Sequence, residues 1–235
     1  MEWRKYYWDV TLVPLGLVML VAYHVWLWHK SKTQPFTTTF GREADSPRFW
    51  VLVIIKDIEK KSIIAIQSLR NLMMASTLMA TTSIVICAGL GAIISSTYSV
   101  KSAINNDIVF GTHGELMVGL KYAVLLAMFL FSFLCHTFSI GFLNQVNILM
   151  FTPQDDKSLV TSQYLTQLLE KGILLNTVGN RLFYSALPLI LWIFGPVITF
   201  FSLIAMVVVF YNLDFLPGNT NTTLENRNSI PFPEA

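Results

Sequence analysis

Apolar positions in this chain stand in long blocks. Residues 10–28, 72–96, 122–143 and 182–211 are almost wholly apolar, small or hydroxyl-bearing. Each block approaches or exceeds the roughly 20 helical residues that cross a hydrocarbon core about 30 Å thick. Trp3, Tyr6, Tyr7 and Trp8 precede the first block, and Tyr23, Trp26 and Trp28 close it, as expected of rings anchored at both membrane interfaces. This first span is expected to be retained, because Trp26-Leu27-Trp28-His29-Lys30 offers no small-residue cleavage site. The fourth block contains Pro188 and Gly195-Pro196, which predict a tilted, kinked span.

The intervening segments predict further helices. Ser46-Pro47 pairs an N-cap with proline at the first helical position, and no further Pro or Gly follows before Arg70. A cytosolic amphipathic helix is therefore expected over about 47–70, with charges at Lys56, Asp57, Glu59, Lys60 and Lys61. Thr152-Pro153 repeats the signal, with Asp155 and Asp156 in the first turn. A second such helix is expected over about 153–175. The two halves share this layout, although any pair of basic-flanked hairpins produces it. The expectation is a single all-α, four-span membrane domain over residues 1–212, followed by a flexible polar tail over 213–235.

Eleven of the 16 Lys and Arg residues fall in the loops between spans one and two and between spans three and four. The positive-inside rule then puts those loops in the cytosol and both termini outside it. Asn221, in an Asn-Thr-Thr triplet, is the glycosylation candidate in the tail.

Composition removes whole classes of function. The chain is 54% hydrophobic and 13% charged, with mean hydropathy +0.56. Disorder does not fit this. Two cysteines make no disulfide scaffold, and a net charge of +2 predicts no nucleic-acid partner. No phosphate loop, His-Glu-x-x-His, Cys-x-x-Cys or Gly-x-Ser-x-Gly motif is present, and no Asp or Glu lies within a span, Asp9 and Asp214 only bordering them. No cofactor or metal is expected, and the reading leans away from an enzyme.

The residues left to carry a function are few. Arg70, Met74, Thr77, Thr81, Ile84, Ala88, Gly91 and Ser95 alternate by four and three along span two and share one helix face. A small, hydroxyl-bearing face serves close helix packing or lines a path for an ion. His24 and His136 are the ionisable side chains well inside the spans, at similar depth. They suit hydrogen-bonded structural roles, or ligation of a single haem between them. Arg48, Arg70 and Arg181 stand at membrane-entry positions, where they would meet lipid phosphate or a shared anion.

Two stretches carry a family resemblance. Arg48-Phe-Trp50-Val and the run Ala65-Ile-Gln-Ser-Leu-Arg70-Asn71 through Ala80-Thr81-Thr82 resemble a membrane family catalogued as domain of unknown function 599. Gly179-Asn-Arg181-Leu-Phe-Tyr184 with Leu187-Pro188 and Gly195-Pro196 resembles that family's last span. The likeness covers most of residues 10–212, is closest to the plant branch, and implies a four-span membrane protein with no activity attached.

The leading expectation is a channel-like or transport-related homo-oligomer whose second span lines the axis, in the plasma membrane or an endomembrane. The alternative is a non-conducting scaffold in the bilayer that docks a cytosolic protein partner. A third reading is a haem-binding membrane oxidoreductase using His24 and His136.

Overall fold

The computed structural model describes residues 3–103, 112–150 and 158–215, and every regular element among them is helical. In chain order these are α1 (Trp3–Thr33), a 3-10 turn (Pro35–Thr37), α2 (Thr39–Ile55), α3 (Ile58–Ala103), α4 (Thr112–Leu149), α5 (Ser158–Ile190), a second 3-10 turn (Leu191–Ile193) and α6 (Pro196–Asp214). Four helices, α1, α3, α4 and α6, are long and apolar enough to cross a membrane. Three coincide with expected spans. The fourth differs.

Residues 182–211 form two helices running in opposite directions, not one kinked span. Gly195 adopts φ 156° and ψ 156°, a conformation that glycine alone reaches without strain. Pro196 then opens α6, where its missing N–H costs no helical hydrogen bond. Hydropathy registers an unbroken apolar run, but the Gly-Pro pair turns the chain back.

The directions follow from what meets. Trp192 bonds Asp9 of α1, Gly16 of α1 faces Leu203 of α6, and Asp214 reaches both Tyr23 of α1 and Arg181 of α5. Helices α1 and α6 are therefore parallel, with the end of α5 antiparallel beside them. The expected layout, with both chain ends on one side, assumed one crossing by 182–211. In the structure the start of α1 and the end of α6 lie toward opposite ends of the bundle.

Two apolar cores stack along the bundle. The first joins Val13 and Leu20 of α1, Leu125 and Phe129 of α4, Phe183 and Leu189 of α5, and Leu203 of α6. The second joins Val51 and Ile54 of α2, Ala65 and Leu69 of α3, Leu143 and Val146 of α4, and Leu165 and Leu168 of α5. With 46 residues, α3 is about 69 Å long, over twice the hydrocarbon thickness of about 30 Å. The second core lies toward the end where α3 starts and α4 finishes. There α3 and α5 carry Gln67, Ser68, Arg70, Gln163, Gln167 and Glu170, a composition suited to water. This end, the basic end, is a helical head rich in Lys and Arg.

The two separate amphipathic helices are not present as expected. Helix α2 starts at Thr39, upstream of Pro47, because Thr38 in extended conformation caps it, its hydroxyl accepting from the Gly41 N–H at 3.1 Å. The helix then breaks at Lys56–Asp57. The Asp57 carbonyl accepts from the N–H groups of Lys60 and Lys61, and α3 continues from there without interruption into the span. Residues 153–157 lie outside the described residues, and the remainder of 153–175 is the first half of α5. The tail begins later than expected, because Asp214 is fully buried and Phe215 forms an isolated bridge with Thr38. Asn221 lies outside the described residues.

Candidate functional site

The face of α3 singled out from the sequence points away from the fold. Arg70, Thr77, Thr81, Ala88 and Ser95 are exposed, and Gly91 is half-buried with open space where a Cβ would stand. The Thr77 and Thr81 hydroxyls donate to the carbonyls of Met73 and Thr77, four residues back on their own helix, at 2.8 Å. The buried stripe is the neighbouring one, Leu69, Ser76, Ala80, Ser83, Cys87 and Leu90. It is offset by one residue, or about 100° of helix.

That buried stripe meets α4 and α5 through small polar side chains. Ser76 donates to Asn176 at 2.8 Å, Ser132 to the Gly179 carbonyl at 3.0 Å, and Ser139 to the Gly172 carbonyl at 2.7 Å. Ser83 stands 3.3 Å from Ser132. The spacing of Ser76 and Ser83, and of Ser132 and Ser139, is seven residues. This signal for a helix seam was available in the sequence.

The two histidines do not meet through any bond or ring contact among the described residues. His24 Nδ1 pairs with the Leu20 carbonyl at 2.8 Å, and its ring stands edge-on to Phe210 of α6. His136 is fully buried against α5, so close that a Cβ on Gly179 would stand 2.8 Å from its Nε2. One imidazole is packed by α6 and the other by α5. Among the described residues no three His, Cys, Asp or Glu side chains converge as a metal site.

Charge is instead concentrated in two clusters that sequence reasoning left at the span borders. Asp214 accepts from both terminal nitrogens of Arg181, one at 2.8 Å, from the Tyr23 hydroxyl at 2.6 Å and from Thr39 at 3.4 Å. The Arg181 guanidinium also lies 4.8 Å from the Phe210 ring centroid. Arg181, expected at lipid phosphate, is thus committed within the protein, and the cluster ties α1, α2, α5 and α6 together. Nearer the start of α1, Asp9 pairs with Lys121 at 3.0 Å and accepts from the Trp192 indole N–H at 2.7 Å. Lys121 also donates to the Trp192 carbonyl.

Arg48 and Arg70 part company. Arg48 pairs with Glu170 on the surface of the head at 2.9 Å, while Arg70 is exposed beside the span. Just inside Arg48 is a half-open cavity of about 420 Å³ between the end of α1, the start of α2 and α5. Trp28, Phe40, Pro47 and Ile173 supply apolar wall, and Lys32, Glu43 and Glu170 supply charge. Thr177 donates to Glu43 at 3.2 Å, and the Lys32 ammonium lies 5.0 Å from the Trp28 ring centroid. These residues lie far apart in sequence, and no local motif announces the cavity.

No curated protein matches this chain. No solved structure matches it either. A family model does match, over residues 11–218, from within α1 to beyond the end of α6. The chain belongs to the family described as protein of unknown function, DUF599.

Proposed function

We propose that this protein is a membrane-embedded docking scaffold whose head binds an amphipathic, acid-flanked helix of a cytosolic partner. One observation carries the reading: the head, built around its own core, leaves large apolar side chains uncovered around the corner between α2 and α3. Phe49 is 69% exposed and Ile63 68%, with Leu52, Val53 and Ile64 also exposed on either side of the corner at Lys56–Asp57. Contiguous apolar exposure on a water-facing surface marks an interaction site. The exposed Lys56 and Lys60 between the two stripes add charge that suits an acidic flank. In this reading the basic end faces the cytosol, in the plasma membrane or an endomembrane.

A photo-crosslinking side chain at position 49 or 63 in native membranes tests this. Discrete protein adducts are expected, and Lys56→Glu/Lys60→Glu/Lys61→Glu should remove them while the protein still inserts. Lipid adducts alone, of the kind the same probe gives at exposed Leu78 on the span, would overturn the reading.

A second reading keeps the homo-oligomer with α3 around the axis. It is favoured by the outward small-residue face, where Gly89 and Gly91 both have open space for a neighbour. Ion flux in liposomes that is unchanged in an assembled Thr77→Leu/Thr81→Leu variant would remove it. The two histidines, packed by different helices, carry no haem reading.

A further inference from the structure

We propose that the cavity at the basic end binds the headgroup of a zwitterionic, amine-bearing phospholipid. Trp28 and Lys32 are part of the cavity wall, and close by Lys30 lies 5.5 Å and 5.7 Å from the ring centroids of Trp26 and Phe215. Aromatic rings interleaved with lysines mark the headgroup level of a bilayer. A half-open cavity at that level opens onto lipid headgroups.

Size and shape agree. About 420 Å³ far exceeds the ~30 Å³ share of one water and falls in the range of roughly 300–1,000 Å³ typical of small-molecule sites. The wall is preformed. Gly41 approaches Pro35 so closely that any Cβ would collide with the Pro35 backbone, and Thr38 fixes the start of α2.

Charge then selects the ligand class. Lys32 is the cation in the lining able to meet a phosphate, and its ammonium lies over the Trp28 ring. Glu43 and Glu170 are the carboxylates able to meet an ammonium. Each carboxylate offers about four lone-pair directions; Thr177 donates to Glu43 and Arg48 to Glu170. The lining holds one cation and two carboxylates, and Arg48, outside the lining, offsets one of the carboxylates by pairing with Glu170. That balance matches a headgroup with one phosphate and one amine, and it disfavours a net anionic lipid. A primary ammonium, with three N–H donors, serves two carboxylates better than a quaternary one, which has none.

Native mass spectrometry and thermal unfolding of the purified full chain test this, with phosphatidylethanolamine, phosphatidylcholine and phosphatidylglycerol added in turn. Phosphatidylethanolamine is expected to stay bound and to stabilise at about tenfold lower concentration than phosphatidylglycerol. Phosphatidylcholine should fall between them, through Trp28 and Phe40. Lys32→Ala/Glu43→Gln should abolish the difference. Leu174→Trp, at an exposed rim position, should fill the cavity and remove retention of all three lipids with helicity unchanged. Equal binding of the three lipids by the parent chain overturns the proposal, as does a preference that survives in Leu174→Trp.

Discussion

The two buried carboxylates make an instructive pair. Asp9 and Asp214 each sit where α1 meets another helix, each with a cation from a different helix and an aromatic hydrogen-bond donor. Yet they are held differently. Lys121 brings a point charge, and its cluster keeps some contact with the surroundings, with side chains 17% and 11% exposed. Arg181 brings a planar fork that grips both oxygens of Asp214, whose side chain is 1% exposed. Bidentate pairing recovers more of the cost of burying charge, and the more deeply buried carboxylate has the bidentate partner.

The sharpest break of that comparison is to remove one cation at a time. Arg181→Leu leaves Asp214 buried without its counter-charge, and a loss of about 3–5 kcal/mol is expected, read from unfolding in mixed micelles. Removing both partners, as Arg181→Leu/Asp214→Leu, should cost less than the single change, because no orphaned charge remains. A double variant as unstable as the single one would show that the ions are not the coupled unit. At the other cluster, Lys121→Met leaves Asp9 the Trp192 N–H and partial exposure, so about 1–3 kcal/mol is expected. A loss there equal to that of Arg181→Leu would erase the distinction.

Tyr23→Phe sharpens it further. The change removes one 2.6 Å donor from Asp214 while both Arg181 contacts remain. About 1–2 kcal/mol should be lost, and the loss should shrink when Arg181 is also absent. Additive losses would mean that hydroxyl and guanidinium act independently.

These clusters show which parts of the molecule could be read in advance. Three spans were legible, since a long apolar block has few other fates. The fourth was not, because hydropathy carries no direction. Gly195-Pro196 reads equally as a kink or a reversal until Trp192 is seen beside Asp9. Helix α5 hid for a related reason. Asn176, Thr177 and Arg181 dilute its apolar character, and each is satisfied by a residue distant in sequence, Ser76, Glu43 and Asp214. The stripe of α3 that packs within the chain lies one residue from the face singled out, and the sequence does not separate them because two adjacent stripes are both rich in small side chains. Ser76, Ala80 and Ser83 alternate by four and three as regularly as Thr77, Thr81 and Ile84. Only the partner helix chooses between them.

The smallest expected effect on stability belongs to Arg48, and it links the ion pairs to the cavity. Its pair with Glu170 lies on the surface, with side chains 68% and 30% exposed. Water competes for both ions there, and holding two long side chains in place offsets most of the attraction. Arg48→Ala should therefore cost no more than about 1 kcal/mol. The cavity should register the change more strongly than the fold does. Without Arg48, the Glu170 carboxylate in the lining is no longer offset and can accept from an ammonium. The variant should hold phosphatidylethanolamine more tightly than the parent and phosphatidylglycerol less tightly, with its unfolding midpoint in lipid-free detergent nearly unchanged. A large stability loss without a change in lipid preference would make Arg48–Glu170 a third structural clamp, like those at Asp9 and Asp214, and would uncouple it from the cavity.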